Sequence, residues 1–261
     1  QQGRVEESLS IAREISSDNW KSYSFGKIAA AISQQGQLEE SLSIARGISD
    51  DYCKSSALKD IALELSKQGR VEESATVMQE SLSIARGISS DRYKSEALTA
   101  IAVEVSKQGH VEESASVLEE SLSIARSIPH ESDKSRALND IAIELSKQGN
   151  WSRAENVCVE ITQMNDRHFC WKGMAANAMK ETGWEKSLDL HSVFQSEEAR
   201  EFYLKGWVEK INLIDVYETC IQKALPILVE DSASIESLLQ KFAARKIGLE
   251  NPNPQSVTRL N

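Results

Sequence analysis

Apolar residues recur at helical spacing in a stretch that the chain repeats almost unchanged. In its clearest copy, residues 54–93, the first half has apolar residues at positions i, i+3, i+4 and i+7, which are Leu58, Ile61, Ala62 and Leu65. Residues with this spacing lie on one face of an α-helix, so the pattern predicts an amphipathic helix, helix A, with that face buried. The second half predicts another helix, helix B, whose apolar residues are Val71, Val77, Met78, Leu82, Ile84 and Ala85.

Residues that favour helix ends separate the two helices. Gly69 follows helix A and suits the left-handed backbone conformation that ends many helices. Glu72 and Glu73 then open helix B, where carboxylates complement the positive end of the helix dipole. At the end of helix B, Gly87 is predicted to be a cap residue.

The hairpin of helices A and B recurs along the chain. Equivalent lysines, separated by 33, 40, 40 and 38 residues, are Lys21, Lys54, Lys94, Lys134 and Lys172. The longer units contain seven additional residues after the sequence EES. Seven residues are nearly two helical turns and rotate the buried face by only about 20°, so we expect the insertion to lengthen helix B. Two amphipathic helices cannot bury both of their faces alone, and the units are therefore predicted to stack as an all-α solenoid of antiparallel helix hairpins.

The pattern resembles the tetratricopeptide repeat, whose usual unit is about 34 residues. If Gly69 is the turn glycine of that family, the four apolar residues of helix A take its core positions, followed by Val71 and Ser74 in helix B. The chain departs from the family in having no tryptophan or tyrosine at the large positions of helix A and no closing proline in most units. It also has serine where alanine is usual, at Ser41, Ser74 and Ser114. The resemblance implies a right-handed superhelix with helix A on its concave face.

The repeats predict an array, a cap and a tail. The array spans residues 1–190, as a half unit at 1–17, units near 18–50, 51–90, 91–130 and 131–165, and a degenerate unit at 166–191. Helices predicted near 196–209, 213–229 and 233–246 form a C-terminal cap over 192–246, because the end of a solenoid must cover an exposed apolar face. A separate ligand-binding helical domain is the alternative for these helices. Residues 247–261 contain two prolines and are predicted to be extended.

Composition and charge exclude some classes of function. Lys and Arg number 30 and Asp and Glu number 40, so the net charge is −10, which argues against a protein that wraps the nucleic acid backbone. No stretch approaches the roughly 18 apolar residues of a membrane span, and no signal peptide is visible. The chain starts with a helix B that has no helix A before it, so we expect a fragment of a longer protein. We also expect a cytoplasmic location.

Residues that often carry chemistry form no recognisable catalytic or metal site in the sequence. The four cysteines, Cys53, Cys158, Cys170 and Cys220, form no C-x-x-C pair and are interpreted as small buried residues in a reducing compartment. His168 and His191 lie near two of them, but the spacing fits no zinc site. The sequence has no G-x-S-x-G elbow for a serine nucleophile. We therefore expect a non-enzymatic protein without metal or cofactor. An enzyme formed by the helices around Glu197–Glu230 is a weaker alternative.

The candidate site is a surface of helix A. In tetratricopeptide-type stacks helix A lines the concave face, and three rows of residues outside its core recur from unit to unit. The apolar row is Ala30, Leu63, Val103 and Ile143, the hydroxyl row includes Ser66, Ser106 and Ser146, and the basic row includes Lys67, Lys107 and Lys147. Together they suit an extended or helical peptide with apolar anchors and acidic groups. The alternative is that the apolar row packs against the next repeat and the lysines only cap their helices.

These expectations leave two functions open. The first is a non-catalytic protein–protein interaction scaffold that binds a partner peptide or helix on the concave face of the array. The second is a structural or regulatory arm of a larger protein whose catalytic domain lies outside this sequence. Near-identical repeats also predict self-association through the uncapped N-terminal end.

Overall fold

The computed structural model describes residues 2–210, which are almost entirely helical. They form twelve α-helices and a short 3₁₀ turn at Leu190–Val193, and contain no strand. The helices are α1 (Gln2–Glu14), α2 (Asp18–Gln34), α3 (Leu38–Arg46), α4 (Asp51–Lys67), α5 (Val71–Gly87), α6 (Asp91–Lys107), α7 (Val111–Ser127), α8 (Glu131–Lys147), α9 (Trp151–Val159), α10 (Met164–Thr182), α11 (Trp184–Asp189) and α12 (Glu197–Lys210). The predicted helices near 213–229 and 233–246 and the predicted tail at 247–261 lie outside the described residues.

The described residues belong to two compact units, and the boundary between Asp140 and Ile141 falls inside α8. In the first unit α4 packs along α5, and α6 packs along α7, as two helix hairpins. Helices α2, α4 and α6, the A helices of successive repeats, also pack side by side. Each hairpin thus contacts the next one along the chain, which confirms the predicted all-α solenoid architecture within this unit.

The seven-residue insertion lengthens helix B and adds to its buried face. Helix α3, from the short unit, contains 9 residues, whereas α5 and α7 contain 17 each. In α5 the inserted stretch contributes buried side chains, among them Val77, Met78 and Ser81. The prediction of a helical insertion is confirmed, because a heptad returns the helix to almost the same face.

Glycines end the A helices in the left-handed conformation. Gly69 has a φ of +76° and Gly109 a φ of +88°, values that residues with a Cβ rarely adopt. The role predicted for Gly69 is therefore confirmed. Gly87, the glycine predicted at the end of helix B, is the last residue of α5 and has no positive φ, and Ser127 takes the same place in α7. The chain leaves α5 through Ile88 at φ −59° and ψ 127°, so no left-handed residue is required.

One residue that the helical pattern predicts as core is exposed. Val71 is the first residue of α5 and is 56% exposed, and Val111 takes the same position in α7 at 60%. Buried packing in α5 begins one turn later, at Ser74. The predicted core position of Val71 is wrong, because the longer helix B enters the hairpin interface only after its first turn.

Buried serines fasten each hairpin at the end near its turn. The hydroxyls of Ser41, Ser74 and Ser114 each donate a hydrogen bond of 2.7 Å to a carbonyl oxygen of helix A, in Ala29, Ala62 and Ala102 respectively. These alanines are fully buried, and their small side chains allow helix B to approach closely. The bond gives a physical reason for serine at the position where the resemblance leads one to expect alanine, since the hydroxyl is satisfied in a buried place.

A second pair of serines fastens the other end of the long hairpins. Ser81 Oγ donates to Ser55 O at 2.8 Å, and Ser121 Oγ donates to Ser95 O at 2.8 Å. Ser81 and Ser121 belong to the inserted seven residues of their units. The insertion therefore brings its own polar contact to helix A as well as apolar area.

Ion pairs join successive B helices on the surface of the first unit. Arg46 Nη2 lies 2.7 Å from Glu80 Oε2, and Arg86 Nη2 lies 2.8 Å from Glu120 Oε2. The hydrogen bond from Arg46 lowers the pKa of Glu80 below its ordinary value. Exposed pairs of this kind contribute only about 0 to 1 kcal/mol each, so they fix the spacing of the repeats more than they add stability.

The second unit has an aromatic core. Helix α12 packs along α10, and the largest fully buried side chains of this unit are Trp171, Phe194, Tyr203 and Trp207. Ser187 accepts hydrogen bonds from two of these side chains. Tyr203 OH donates to its carbonyl oxygen at 2.8 Å, and Trp207 Nε1 donates to its hydroxyl oxygen at 3.0 Å. Helix α12 is the first of the three helices predicted for the C-terminal cap.

A disulfide joins Cys158 of α9 to Cys170 of α10. Both cysteines are fully buried, but their interpretation as separate small residues is wrong. The turn between the two helices brings their Cα atoms to 6.3 Å, which is within the range for a disulfide. Disulfides are rare in reducing compartments, so this pair weighs against the compartment that the sequence suggests.

Removal of this disulfide is expected to lower the free energy of unfolding of the second unit by about 2 to 3 kcal/mol, because the bond closes a short loop in the unfolded chain. Urea denaturation with and without dithiothreitol, followed by the fluorescence of the buried Trp171 and Trp207, measures the effect. Cys53→Ala is the control, since Cys53 is a free thiol in the other unit. An unchanged midpoint under reducing conditions would show that the bond does not form in solution.

Candidate protein interaction surface

The apolar row of the predicted surface is half-buried. Ala30, Leu63 and Val103 lie on α2, α4 and α6 in the first unit, where each keeps part of its side chain accessible. In the second unit, Ile143 Cδ1 lies 3.1 Å from the point that a Cβ on Gly173 of α10 would occupy. Ile143 therefore packs against a neighbouring helix, which is the alternative that the sequence leaves open for this row.

The lysines of the basic row and one serine of the hydroxyl row make contacts within their own helices. Ser146 is buried and donates to Ile143 O at 2.6 Å, whereas Ser66 and Ser106 are half-buried. The three lysines are exposed and each pairs with the glutamate three residues earlier, with Nζ–Oε distances of 3.5 Å for Lys67, 3.0 Å for Lys107 and 3.3 Å for Lys147. Because these charges are partly compensated, the basic row is a weaker attractor for acidic groups than the sequence alone suggests.

The structure brings together a group of aromatic residues that the sequence rows do not include. Trp20 and Tyr23 of α2, Tyr52 of α4 and Tyr93 of α6 line a cavity of about 420 Å³, together with Asn19, Asp50 and Cys53. We call this cavity the aromatic pocket. Trp20 is 66% exposed, Tyr23 51% and Tyr93 43%, which is unusual for such large side chains. Exposed aromatic clusters are typical of the residues that dominate protein–protein binding.

The helical repeat places these rings next to one another. Each lies in the first two turns of an A helix, and the three A helices stand side by side. Trp20 and Tyr23 meet edge to face with ring centroids 6.0 Å apart, and the rings of Tyr52 and Tyr93 are 5.3 Å apart. Three successive repeats therefore contribute to one pocket.

A hydrogen bond between repeats holds the ring of Tyr52. Its hydroxyl donates to Glu96 Oε1 of α6 at 2.5 Å. Burial, followed by this bond to a carboxylate, raises the pKa of Tyr52 well above its ordinary value. The phenol therefore stays protonated and serves as a fixed donor at neutral pH.

A smaller cavity of about 90 Å³ adjoins the aromatic pocket and shares Tyr23, Tyr52 and Cys53 with it. Burial, with a further contribution from Asp50, raises the pKa of the Cys53 thiol to about 12. A thiol with this pKa is protonated at neutral pH and is a poor nucleophile. The one free cysteine of the described residues is thus unsuited to catalysis.

The remaining candidates for chemistry have structural contacts. His168 stacks on Phe202 with ring centroids 3.3 Å apart, and its Nε2 lies 3.0 Å from Glu198 Oε1. His191 Nδ1 lies 2.8 Å from Leu188 O. Within residues 2–210 no group of three or more His, Cys, Asp or Glu side chains is placed to hold a metal ion. None of the helices in this range is long and apolar enough to cross a membrane.

A deviation from the helical period marks the aromatic pocket in the sequence. Trp20 and Tyr23 are apolar residues at the start of a helix A, yet both lie off its buried face, which runs from Ser22 through Ala29. Large aromatic residues that lie off this face, at the start of three successive A helices, are the signal that could have located the pocket. The spacing of the helices, which no sequence pattern gives, decides that the rings meet.

Comparison with known proteins bears on the fold of the chain. No protein-family model matches it, and no curated protein is significantly similar to it. Among solved structures, the chain is similar to the crystal structure of Ton1535 from Thermococcus onnurineus NA1, with a TM-score of 0.50 and 14% sequence identity over 93% of this chain and 73% of that chain. Identity at this level shows likeness of fold alone. The chain is an all-α helical repeat protein.

Proposed function

We propose that the chain is a non-catalytic, tetratricopeptide-like interaction module that binds a peptide or helix of a partner protein along its A helices. The observation that carries the proposal is the aromatic pocket, to which the A helices of three successive repeats contribute Trp20, Tyr23, Tyr52 and Tyr93. A site assembled from several repeats suits an extended ligand that crosses them.

The distribution of polar contacts supports this choice of surface. The serines of the hairpins bond to helix backbones, and the B helices pair with one another through Arg46–Glu80 and Arg86–Glu120. On the A helices, by contrast, half-buried Leu63 and Val103 and the exposed rings provide apolar surface outside the core. Aromatic side chains are enriched, and charged ones depleted, at the centre of surfaces where proteins bind one another.

A peptide library selected on the whole chain tests the proposal. We expect Leu63→Glu combined with Val103→Glu to lower the affinity for the selected peptides at least about tenfold, because burying a carboxylate against an apolar ligand costs more than about 1.4 kcal/mol. Ile143 is left unchanged because it packs on Gly173. Calorimetry measures the affinity, and circular dichroism verifies that the helix content is unchanged.

The matched control is Val71→Glu combined with Val111→Glu, at exposed valines of two B helices. It introduces the same two negative charges on a surface that the proposal does not use, and full affinity is expected. If the peptides bind the double variant Leu63→Glu and Val103→Glu as tightly as they bind the natural chain, the A helices do not form the binding site.

The cytoplasmic location stays a prediction that accompanies this proposal. Its test is the redox state of Cys158 and Cys170 in the protein isolated from cells under alkylating conditions. Free thiols are expected in the cytoplasm, whereas a complete disulfide would place the chain in an oxidising compartment.

A further inference from the structure

We propose that the aromatic pocket binds an arginine side chain of the partner peptide. This inference rests on the proposed function and deepens it, because it gives the chemistry of one residue in the ligand. It concerns the first unit alone, where four rings and the carboxylate of Asp50 line the same cavity.

The rings of the pocket already attract cations from the chain itself. Lys27 Nζ lies 5.4 Å from the ring centroid of Tyr23, and Arg92 Cζ lies 5.2 Å from that of Tyr93. Both distances are within the roughly 6 Å at which a cation gains energy from the face of an aromatic ring. The rings are therefore oriented so that positive charge at their faces is favourable.

The charge that lines the pocket is negative. Asp50 is the one charged residue among the side chains around the 420 Å³ cavity. Lys27 and Arg92 stand outside this lining and pair with Asp60 at 3.8 Å and Asp133 at 3.2 Å. A cationic ligand would thus meet a carboxylate and aromatic faces in the lining itself, while each nearby positive charge has a carboxylate within 4 Å.

A second carboxylate strengthens the negative potential. Glu96 accepts the Tyr52 hydroxyl at 2.5 Å and so draws electron density towards the ring. Asp50 lines the same cavity as this ring, so the two carboxylates both contribute negative potential near the pocket. A neutral apolar side chain would gain nothing from these charges, whereas a cation would.

Arginine fits this lining better than lysine. Its planar guanidinium stacks on aromatic rings and presents several N–H donors that a carboxylate such as Asp50 can accept. The cavity volume is within the range of about 300–1,000 Å³ typical of ligand sites, so it holds a side chain and the adjoining backbone. Aromatic grooves also bind proline-rich peptides, but such peptides carry no charge for Asp50 to recognise.

The test uses two short synthetic peptides that differ at one position. The first has arginine between glycine and serine residues, and the second has citrulline, which keeps the shape of arginine without its charge. Titration of the whole chain, followed by amide chemical shifts, is expected to show saturable binding of the arginine peptide at the first turns of α2, α4 and α6. The citrulline peptide should bind at least about tenfold more weakly.

Two variants assign the binding to the pocket. Trp20→Ala removes an exposed ring, and Asp50→Asn removes the charge while leaving an oxygen that can still accept the N–H of Cys53, as Asp50 does at 2.7 Å. Each substitution should lower the affinity for the arginine peptide about fivefold or more. Phe169→Ala, at an exposed ring of the second unit, is the control and should leave binding unchanged.

Several outcomes would overturn the inference. Equal binding of the two peptides, absence of saturable binding by the arginine peptide, or preference for a proline-rich peptide would each remove arginine as the ligand. Unchanged affinity of Trp20→Ala and Asp50→Asn would place the bound arginine elsewhere. In all these cases the proposed function still stands if the double variant Leu63→Glu and Val103→Glu has lower affinity for the selected peptides. It falls if the affinity of that variant is unchanged.

Discussion

Replacement of Gly206 by alanine is expected to lower the free energy of unfolding of the second unit by about 3 kcal/mol. Gly206 lies in α12 against α10, and a Cβ at this position would lie 2.5 Å from Lys172 Cα and 2.9 Å from Lys172 O. These atoms belong to backbone and cannot turn away as the end of a side chain can. The two helices would have to separate and so lose packing around the buried Trp171 and Trp207.

The measurement is urea denaturation of the variant, followed by the fluorescence of these two tryptophans. Gly173→Ala is a graded comparison in the same unit, because the nearest atom to its added Cβ is the flexible Ile143 Cδ1 at 3.1 Å. Gly87→Ala should be neutral or slightly stabilising, since nothing lies within 4 Å and its φ is not positive. Equal stability of all three variants would contradict the close contact between α10 and α12.

Replacement of Glu155 by alanine is expected to destabilise the second unit by about 4 kcal/mol. Glu155 is buried in α9, and its carboxylate accepts the backbone N–H of Gln195 at 2.9 and 3.1 Å and that of Ser196 at 2.8 Å. These two N–H groups immediately precede α12. Without the carboxylate they would be left without their acceptor, and each such group costs about 1 to 3 kcal/mol when water does not replace it.

Glu155→Gln separates charge from shape in this contact. The amide keeps one oxygen, so we expect roughly half the loss of stability seen with alanine. Glu181→Gln is the control, because it makes the same chemical change at an exposed position of α10. Thermal or urea denaturation gives both values. A Glu155→Ala variant as stable as the control would show that α12 is not held by this carboxylate.

Glu155 and Gly206 show how the second unit differs from the repeats before it. The hairpins of the first unit use the same serine bonds in each copy, as at Ser74 and Ser114. The second unit uses single contacts instead, namely a disulfide, a buried carboxylate and a glycine against backbone. Contacts that occur once leave no periodic trace, and the sequence accordingly gave no indication of them.

The aromatic pocket and the predicted rows lie on the same A helices but differ in how far the sequence reveals them. Leu63 and Val103 recur at one position of the repeat, so alignment of the units is enough to find them. Trp20, Tyr52 and Tyr93 belong to different copies and do not all share a position in the repeat. Their proximity depends on the lateral spacing of α2, α4 and α6, which brings the Tyr52 and Tyr93 rings to 5.3 Å.

The sequence by itself determined the helices, their turns and the stacking of hairpins in the first unit. These features depend on local spacing, since apolar residues at helical period, a left-handed Gly69 and a seven-residue insertion act within one hairpin or between adjacent ones. Only the tertiary structure decided that Val71 is exposed, that Cys158 pairs with Cys170 and that four rings form a pocket. The physical reason is that burial and contact depend on which helix lies opposite and on how far away it lies. The period of a single helix encodes neither.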